Sequence, residues 1–159
     1  LNKHLESFEK RKSSIYKNSP QFSMFGVGDY SYSRYKVGIS GFYKKPLFSL
    51  LCTYDLKPIM MDDTGYFISF DDFNLAYVAM LCLNSVPVQS FLKNIAFLDA
   101  KRPYTKKVLQ RLDFKKVIDV LSIDELVITE VALGVDSYIT DELYTLFKDY
   151  VLGNQLTLF

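Results

Sequence analysis

The feature that most constrains this chain is residues 22–45, FSMFGVGDYSYSRYKVGISGFYKK, in which aromatic residues are interleaved with basic ones. Apolar and polar positions alternate along the segment, which is typical of β-strands. A strand of this kind buries one side and displays tyrosines and cations on the other. Such a surface suits a polyanion with stackable rings, so the segment predicts contact with nucleic acid.

The order of patterns along the chain predicts one α+β domain: an N-terminal helix, a β-rich half of about five strands, then an α-rich C-terminal half. Apolar residues at helical spacing favour a helix over residues 1–16. Turn and capping signals delimit the later elements. The predicted strands are 22–27, 31–40, 47–54, 58–61 and 65–70, and the predicted helices after them are 73–83, 87–96, 104–111, 122–133 and 141–152.

Composition places the chain among proteins of about one domain. Its 159 residues are 49% hydrophobic and 16% aromatic, which is enough for a real core. No apolar run reaches the ~18 residues of a membrane span, so no membrane partner is expected. Cys52 and Cys82 lie in apolar stretches and are predicted to be buried, reduced thiols of a cytoplasmic protein. The start at Leu1 favours a piece cut from a longer polypeptide.

The net charge of +1 conceals a strong polarity along the chain. Residues 1–45 have nine basic against three acidic groups, whereas residues 119–159 have eight acidic groups and only Lys148. A second basic stretch, residues 101–116, has seven basic groups against Asp113. These blocks predict that one face meets phosphate while the C-terminal part has another role.

The sequence gives little support to a catalytic function. The glycines of residues 25–29, FGVGD, would need a helix directly after them to hold a cofactor, and the residues that follow favour a strand or turn. A turn is the favoured interpretation, and a small S-adenosylmethionine-binding catalytic domain is the alternative. His4 is the only histidine, and two separated cysteines do not form a metal site. We therefore predict no catalytic, cofactor-binding or metal-ligating residue.

Three phrases together resemble a known family: residues 25–45, residues 57–67 (KPIMMDDTGYF) and residues 91–114 (FLKNIAFLDAKRPYTKKVLQRLDF). They are similar to the C-terminal target-recognition region of adenine-specific DNA methyltransferases of restriction–modification systems, the group with TaqI-like specificity domains. The family's glycine-strand pattern matches Gly28, Tyr32, Tyr35, Lys36 and Val37. The resemblance covers about residues 8–113 and leaves 119–159 unplaced.

The resemblance implies that an upstream domain, absent from this chain, binds S-adenosylmethionine and flips the adenine. This chain would then read the site on double-stranded DNA. The resemblance is compatible with a parent enzyme that is fused to an endonuclease and with one that is not. Residues 1–17 are predicted to link to the catalytic domain, 18–121 to form the target-recognition domain, and 122–159 to form a helical extension. The candidate DNA-binding residues are Tyr30, Tyr32, Arg34, Lys36, Tyr43, Lys44, Lys45, Lys101, Arg102, Lys106, Lys107 and Arg111, with Arg34 and Lys36 foremost.

The last five residues, QLTLF, resemble the peptide with which bacterial DNA enzymes dock on the replication sliding clamp. Gln155 would bind at the rim of an apolar pocket that Leu156, Leu158 and Phe159 fill. The alternative is an apolar tail that folds back on its own domain. A protein-interaction module, which docks through this peptide or through the acidic C-terminal half, is the third function to be distinguished.

Overall fold

The computed structural model describes residues 2–24 and 26–154. In these residues three strands form one antiparallel sheet in the order β2-β1-β3. The strands are β1 (Tyr35–Ser40), β2 (Ser49–Cys52) and β3 (Gly65–Phe70). The α-helices are α1 (Leu5–Glu9), α2 (Phe73–Asn84), α3 (Val86–Ile95), α4 (Lys106–Leu109), α5 (Phe114–Val120), α6 (Ile123–Leu133) and α7 (Asp141–Gly153), with 3-10 turns at Asn2–His4, Ser14–Tyr16 and Asp29–Tyr32.

One face of the sheet packs on helix α2. Val37 of β1 lies opposite Leu50 of β2 and Ile68 of β3, and residues opposite one another in antiparallel strands point to the same face. Val37 and Ile68 are buried, as expected for the core side. Lys36, between Tyr35 and Val37, therefore points to the outer face of the sheet.

Helix α2 is the centre of the helical half. Its residues 76–83 are all buried, because α2 is covered by the sheet, by α3, and by α6 and α7. Helices α2, α6 and α7 each begin where a short polar side chain caps them: Asp72 accepts the Leu75 N–H, Ser122 forms a capping box with Glu125, and Thr140 accepts the Leu143 N–H. Among the described residues no single helix is long and apolar enough to span a membrane; the bent pair α2 and α3 meets those limits only together.

The predicted β-rich half of about five strands is wrong, because the described residues contain only three strands. Residues 29–32 form a 3-10 turn instead of the start of a strand, since the Ser31 N–H and side chain both bond to Gly28. Residues 58–61 form no strand either. The Met61 sulfur lies 3.1 Å from where a Cβ at Gly38 would stand, so this segment crosses the outer face of the sheet without pairing.

The predicted N-terminal helix over 1–16 is also wrong. Of the described residues 2–16, only α1 and two 3-10 turns are helical. The guanidinium of Arg11 donates to carbonyl oxygens of Phe8, Gln21 and Ser23, and it lies over the Tyr16 ring at 3.9 Å. These contacts draw the chain back on itself after Glu9 and leave no room for a continuous helix.

The later helices agree more closely with the sequence. The predictions 73–83, 87–96, 122–133 and 141–152 correspond to α2, α3, α6 and α7 within two residues at each end. The predicted helix 104–111 is reduced to α4, and helix α5 was missed. Asp113 caps α5 by accepting the Lys115 N–H, so a cap signal was present in the sequence.

Candidate nucleic-acid interface

The two basic stretches of the sequence meet beyond the carboxyl end of β1. The Nζ of Lys44 donates to the carbonyl oxygens of Leu98 (2.6 Å) and Ala100 (2.8 Å). The guanidinium of Arg102 lies over the Phe42 ring at 4.9 Å, and the Lys101 ammonium lies 5.7 Å from the same ring. We call residues 42–45 and 97–102 the basic loop pair. It brings together five predicted DNA-binding residues: Tyr43, Lys44, Lys45, Lys101 and Arg102.

The basic loop pair is anchored by contacts of its neighbouring residues with the sheet and with helix α2. Gly41 is required where β1 ends, because a Cβ there would come within 3.0 Å of the Tyr66 ring and 3.1 Å of the Thr64 carbonyl oxygen. Farther along, the Asn84 side chain bonds both the N–H and the carbonyl of Phe48, at 3.0 and 2.9 Å. The buried Tyr104 donates its hydroxyl to the Lys44 carbonyl at 3.4 Å. These contacts fix the position of residues 42–45 relative to the sheet and to helix α2.

Exposed aromatic side chains accompany these cations. Phe42 and Tyr43 are exposed, and Phe97 is 82% exposed. The sequence reasoning did not select Phe42 or Phe97, although each is within five residues of a basic pair. An exposed aromatic ring beside a cation is a surface on which bases or sugars can stack.

Lys106, Lys107 and Arg111 follow the basic loop pair along the chain, and all three are exposed. The predicted helix over 104–111 would have included all three, but α4 ends at Leu109, so Arg111 lies beyond it. Leu109 and Leu112 are buried, so the chain bends here to place both in the core. The three cations are therefore surface charges on a short helix and the turn after it.

The remaining predicted residues lie at the opposite end of β1. Tyr30 and Tyr32 are exposed on the 3-10 turn, and the exposed Arg34 directly precedes the strand. The Tyr30 ring leans on Phe67 with centroids 5.8 Å apart, and the Ser69 hydroxyl donates to the Tyr30 carbonyl. Strand β1 lies between this group and the basic loop pair, and its six residues alone span about 17 Å at ~3.3 Å per residue.

Lys36 lies between the two groups but is only 1% exposed. Its ammonium donates to the Ser33 carbonyl oxygen at 2.8 Å and lies 5.7 Å from the Phe67 ring. Within residues 2–24 and 26–154, the one ion pair within 4 Å is Lys10–Glu6, so no carboxylate neutralises Lys36. Burial disfavours the charged form and lowers the pKa of Lys36. Lys36 is thus not presented to a ligand in this structure, unlike Arg34.

Two further expectations concern the C-terminal docking peptide and metal ligands. The docking residues Gln155, Leu156, Leu158 and Phe159 lie outside the described residues. No group of three His, Cys, Asp or Glu side chains in the described part of the chain is placed to hold a metal ion.

Comparison with known proteins relates the chain to a methyltransferase. Over 121 residues it is 42% identical to the Type II methyltransferase M.NspV of Nostoc sp., a match that spans 76% of this chain and 25% of the relative. No protein-family model matches the chain. No solved structure matches it either. The chain is therefore related to a restriction–modification methyltransferase, and the match spans about a quarter of that relative's length.

Proposed function

We propose that this chain is the target-recognition part of a restriction–modification, adenine-specific DNA methyltransferase and that it binds double-stranded DNA. The observation that carries the proposal is the basic loop pair. Lys44 ties together two basic stretches that are 56 residues apart in the sequence, so cations and exposed aromatics share one end of the sheet. The relation to a Type II methyltransferase supports DNA as the polyanion.

In this proposal the methyl transfer takes place elsewhere in the methyltransferase. An upstream catalytic domain binds S-adenosylmethionine, receives the flipped adenine and contacts this chain, all in the cytoplasm. The chain contributes the reading of the site and part of the grip on the duplex. Docking of the C-terminal pentapeptide on a sliding clamp stays a separate prediction.

The contacts within the basic loop pair suggest different roles for its cations. Lys44 uses two of its three N–H donors on carbonyl oxygens, so it positions the loops more than it grips DNA. The Arg102 guanidinium lies over the Phe42 ring at 4.9 Å, and a planar guanidinium can form two hydrogen bonds to a guanine edge, worth ~1–3 kcal/mol of discrimination. Lys45 and Lys101 are exposed and suit phosphate.

Fluorescence anisotropy with a labelled duplex of about two helical turns tests the proposal. We expect the full chain to bind at low salt and Arg102→Ala to weaken binding about tenfold. Lys101→Gln should reduce the slope of log K against log salt by about 1. Lys148→Gln, in the acidic half, is the control and should leave the affinity unchanged. The proposal fails if the wild type does not bind duplex DNA, or if Arg102→Ala and Lys148→Gln bind equally well.

Calorimetric titration with S-adenosylmethionine distinguishes this proposal from a small catalytic domain. A recognition part is expected to give no binding heat at ligand concentrations up to the millimolar range. Saturable binding would instead favour a catalytic domain that uses the 25–29 glycines.

A further inference from the structure

Helix α6 exposes an apolar stripe that no other part of residues 2–24 and 26–154 covers. Val131 lies four residues after Val127 and three after Ile128, so the three share one side of the helix, and they are 75%, 40% and 61% exposed, respectively. Val135, just beyond the helix end, is 40% exposed and continues the series. A helix that is apolar on both sides is normally covered on both sides, and clustered exposed apolar residues mark interaction sites.

The opposite side of α6 holds the helix firmly in place. Leu126 is fully buried, and the buried Glu130 accepts the Tyr77 hydroxyl of α2 at 2.5 Å. Both ends are fixed as well, by the Ser122–Glu125 capping box and by Gly134 in the left-handed conformation. The stripe is therefore presented by a helix formed before any partner arrives, which lowers the entropic cost of docking.

The charge around the stripe indicates what would cover it. Asp124 precedes Val127 and Ile128 by three and four residues, and Asp136 directly follows Val135; both acidic residues are exposed. Between Lys116 and Lys148 the chain has no Lys or Arg. Nucleic acid and anionic lipid would be repelled by this rim, and so would the same acidic face of a second copy.

We propose that the outer face of α6 docks an amphipathic helix of a partner protein, one with an apolar stripe flanked by Lys and Arg. The partner's apolar side chains pack between Val127, Ile128 and Val131, as ridges of one helix fit the grooves of another. Its flanking cations meet Asp124 and Asp136. This surface is on the acidic half of the chain, and its use does not depend on DNA binding.

The test uses the full chain and a model peptide of about 18 residues, five helical turns, made of Leu and Lys in amphipathic order. A peptide of the same composition in scrambled order has the same charge but no apolar stripe. We expect the amphipathic peptide to bind and to shift the amide resonances of residues 123–135, and the scrambled peptide to bind at least tenfold more weakly.

Val131→Glu and Val86→Glu form the matched pair of variants. Val86 is 70% exposed at the start of α3, so both changes put an acid at an exposed valine, and thermal melting checks that both variants fold. Val131→Glu adds an acidic group, so attraction by charge alone would become tighter. Docking on the stripe predicts binding at least tenfold weaker for Val131→Glu and within twofold of wild type for Val86→Glu.

Three results would overturn the proposal: unchanged or tighter peptide binding by Val131→Glu, equal binding of the scrambled peptide, or no binding of the amphipathic peptide by wild type. Sedimentation velocity without peptide tests whether a second copy of this chain covers the stripe instead. A dimer that Val131→Glu abolishes would show that the stripe is covered by a second copy of this chain.

Discussion

Lys36 in the sheet and Glu130 in the helical half are both buried charges, each only 1% exposed, but they are held in different ways. One oxygen of Glu130 accepts three hydrogen bonds, from the Tyr77 hydroxyl and from the N–H groups of Tyr138 and Ile139. Lys36 donates to a single carbonyl oxygen, that of Ser33. A buried charge is costly unless its hydrogen bonds compensate for lost water.

The two buried charges also differ in which elements their hydrogen bonds connect. Glu130 joins α6 to α2 and to the loop before α7, so its charge holds three elements of the helical half together. The hydrogen bond of Lys36 reaches only the turn that precedes its own strand, and its ammonium otherwise lies near the Phe67 ring of the neighbouring β3. With one hydrogen bond, Lys36 offsets less of the cost of burying its charge than Glu130 does with three.

Replacing Glu130 should have the largest effect. Glu130→Ala removes the acceptor of three donors, the Tyr77 hydroxyl and the N–H groups of Tyr138 and Ile139, at ~1–3 kcal/mol for each donor left unpaired, so the free energy of unfolding should fall by about 3 kcal/mol. Chemical denaturation measures this change. Glu9→Ala, an exposed glutamate, is the control and should change the free energy by less than about 0.5 kcal/mol. A loss of under about 1 kcal/mol for Glu130→Ala would contradict the anchoring role.

Glu130 should also make stability depend on acid pH. Burial raises the pKa of Glu130, but the hydrogen bonds from Tyr77, Tyr138 and Ile139 outweigh it and place the pKa below its ordinary value. The unfolded chain therefore binds the proton more readily, so the stabilisation is complete above pH 4.5 and is lost as pH falls through the folded pKa. Glu130→Gln should flatten this part of the acid titration of stability, and an unchanged titration would exclude Glu130 as its source.

Replacing Lys44 or Lys45 gives two variants of equal charge, of which only the Lys44 variant loses the hydrogen bonds that join the two loops. Lys44→Met removes both hydrogen bonds to the 97–102 loop, whereas Lys45→Met removes a neighbouring exposed charge. Amide hydrogen exchange of residues 97–102 should become about tenfold faster in Lys44→Met, which corresponds to ~1.4 kcal/mol of local stability. Lys45→Met should leave that exchange unchanged, and equal exchange in the two variants would show that Lys44 is not a tether.

Lys36→Met should have the smallest effect on stability. The loss of a buried charge and the loss of its hydrogen bond to Ser33 oppose each other, so the free energy of unfolding should rise by 0 to about 1 kcal/mol at neutral pH. Because the folded pKa of Lys36 is lowered, wild-type stability should rise with pH between that pKa and 10.5, and the variant should lose this rise. Lys57→Met, an exposed lysine, is the control. A clear destabilisation by Lys36→Met would make Lys36 a second anchor.

Local signals in the sequence placed the long helices well because caps act within four residues. The serine at 122, the threonine at 140 and the aspartate at 72 each mark a helix start. Strands were overpredicted because alternation of apolar and polar residues does not require a neighbouring strand. Residues 22–33 alternate in sequence, yet Gly28 and Ser31 bond to each other and residues 29–32 form a 3-10 turn.

The site was predictable in composition but not in arrangement. The basic–aromatic stretches were visible in the sequence, whereas their meeting depends on the contact of Lys44 with carbonyls 54 and 56 residues away. The burial of Lys36 could not be predicted either, because alternation places it opposite the core without showing that Phe67 and Ser33 lie close to its ammonium.

Hydrogen exchange of the full chain with and without duplex DNA tests the central claim most directly. The basic loop pair predicts that DNA slows amide exchange in residues 42–45 and 97–102 together, while exchange in α6 and α7 stays unchanged. Protection confined to the acidic helical half, or to only one of the two loops, would contradict the account.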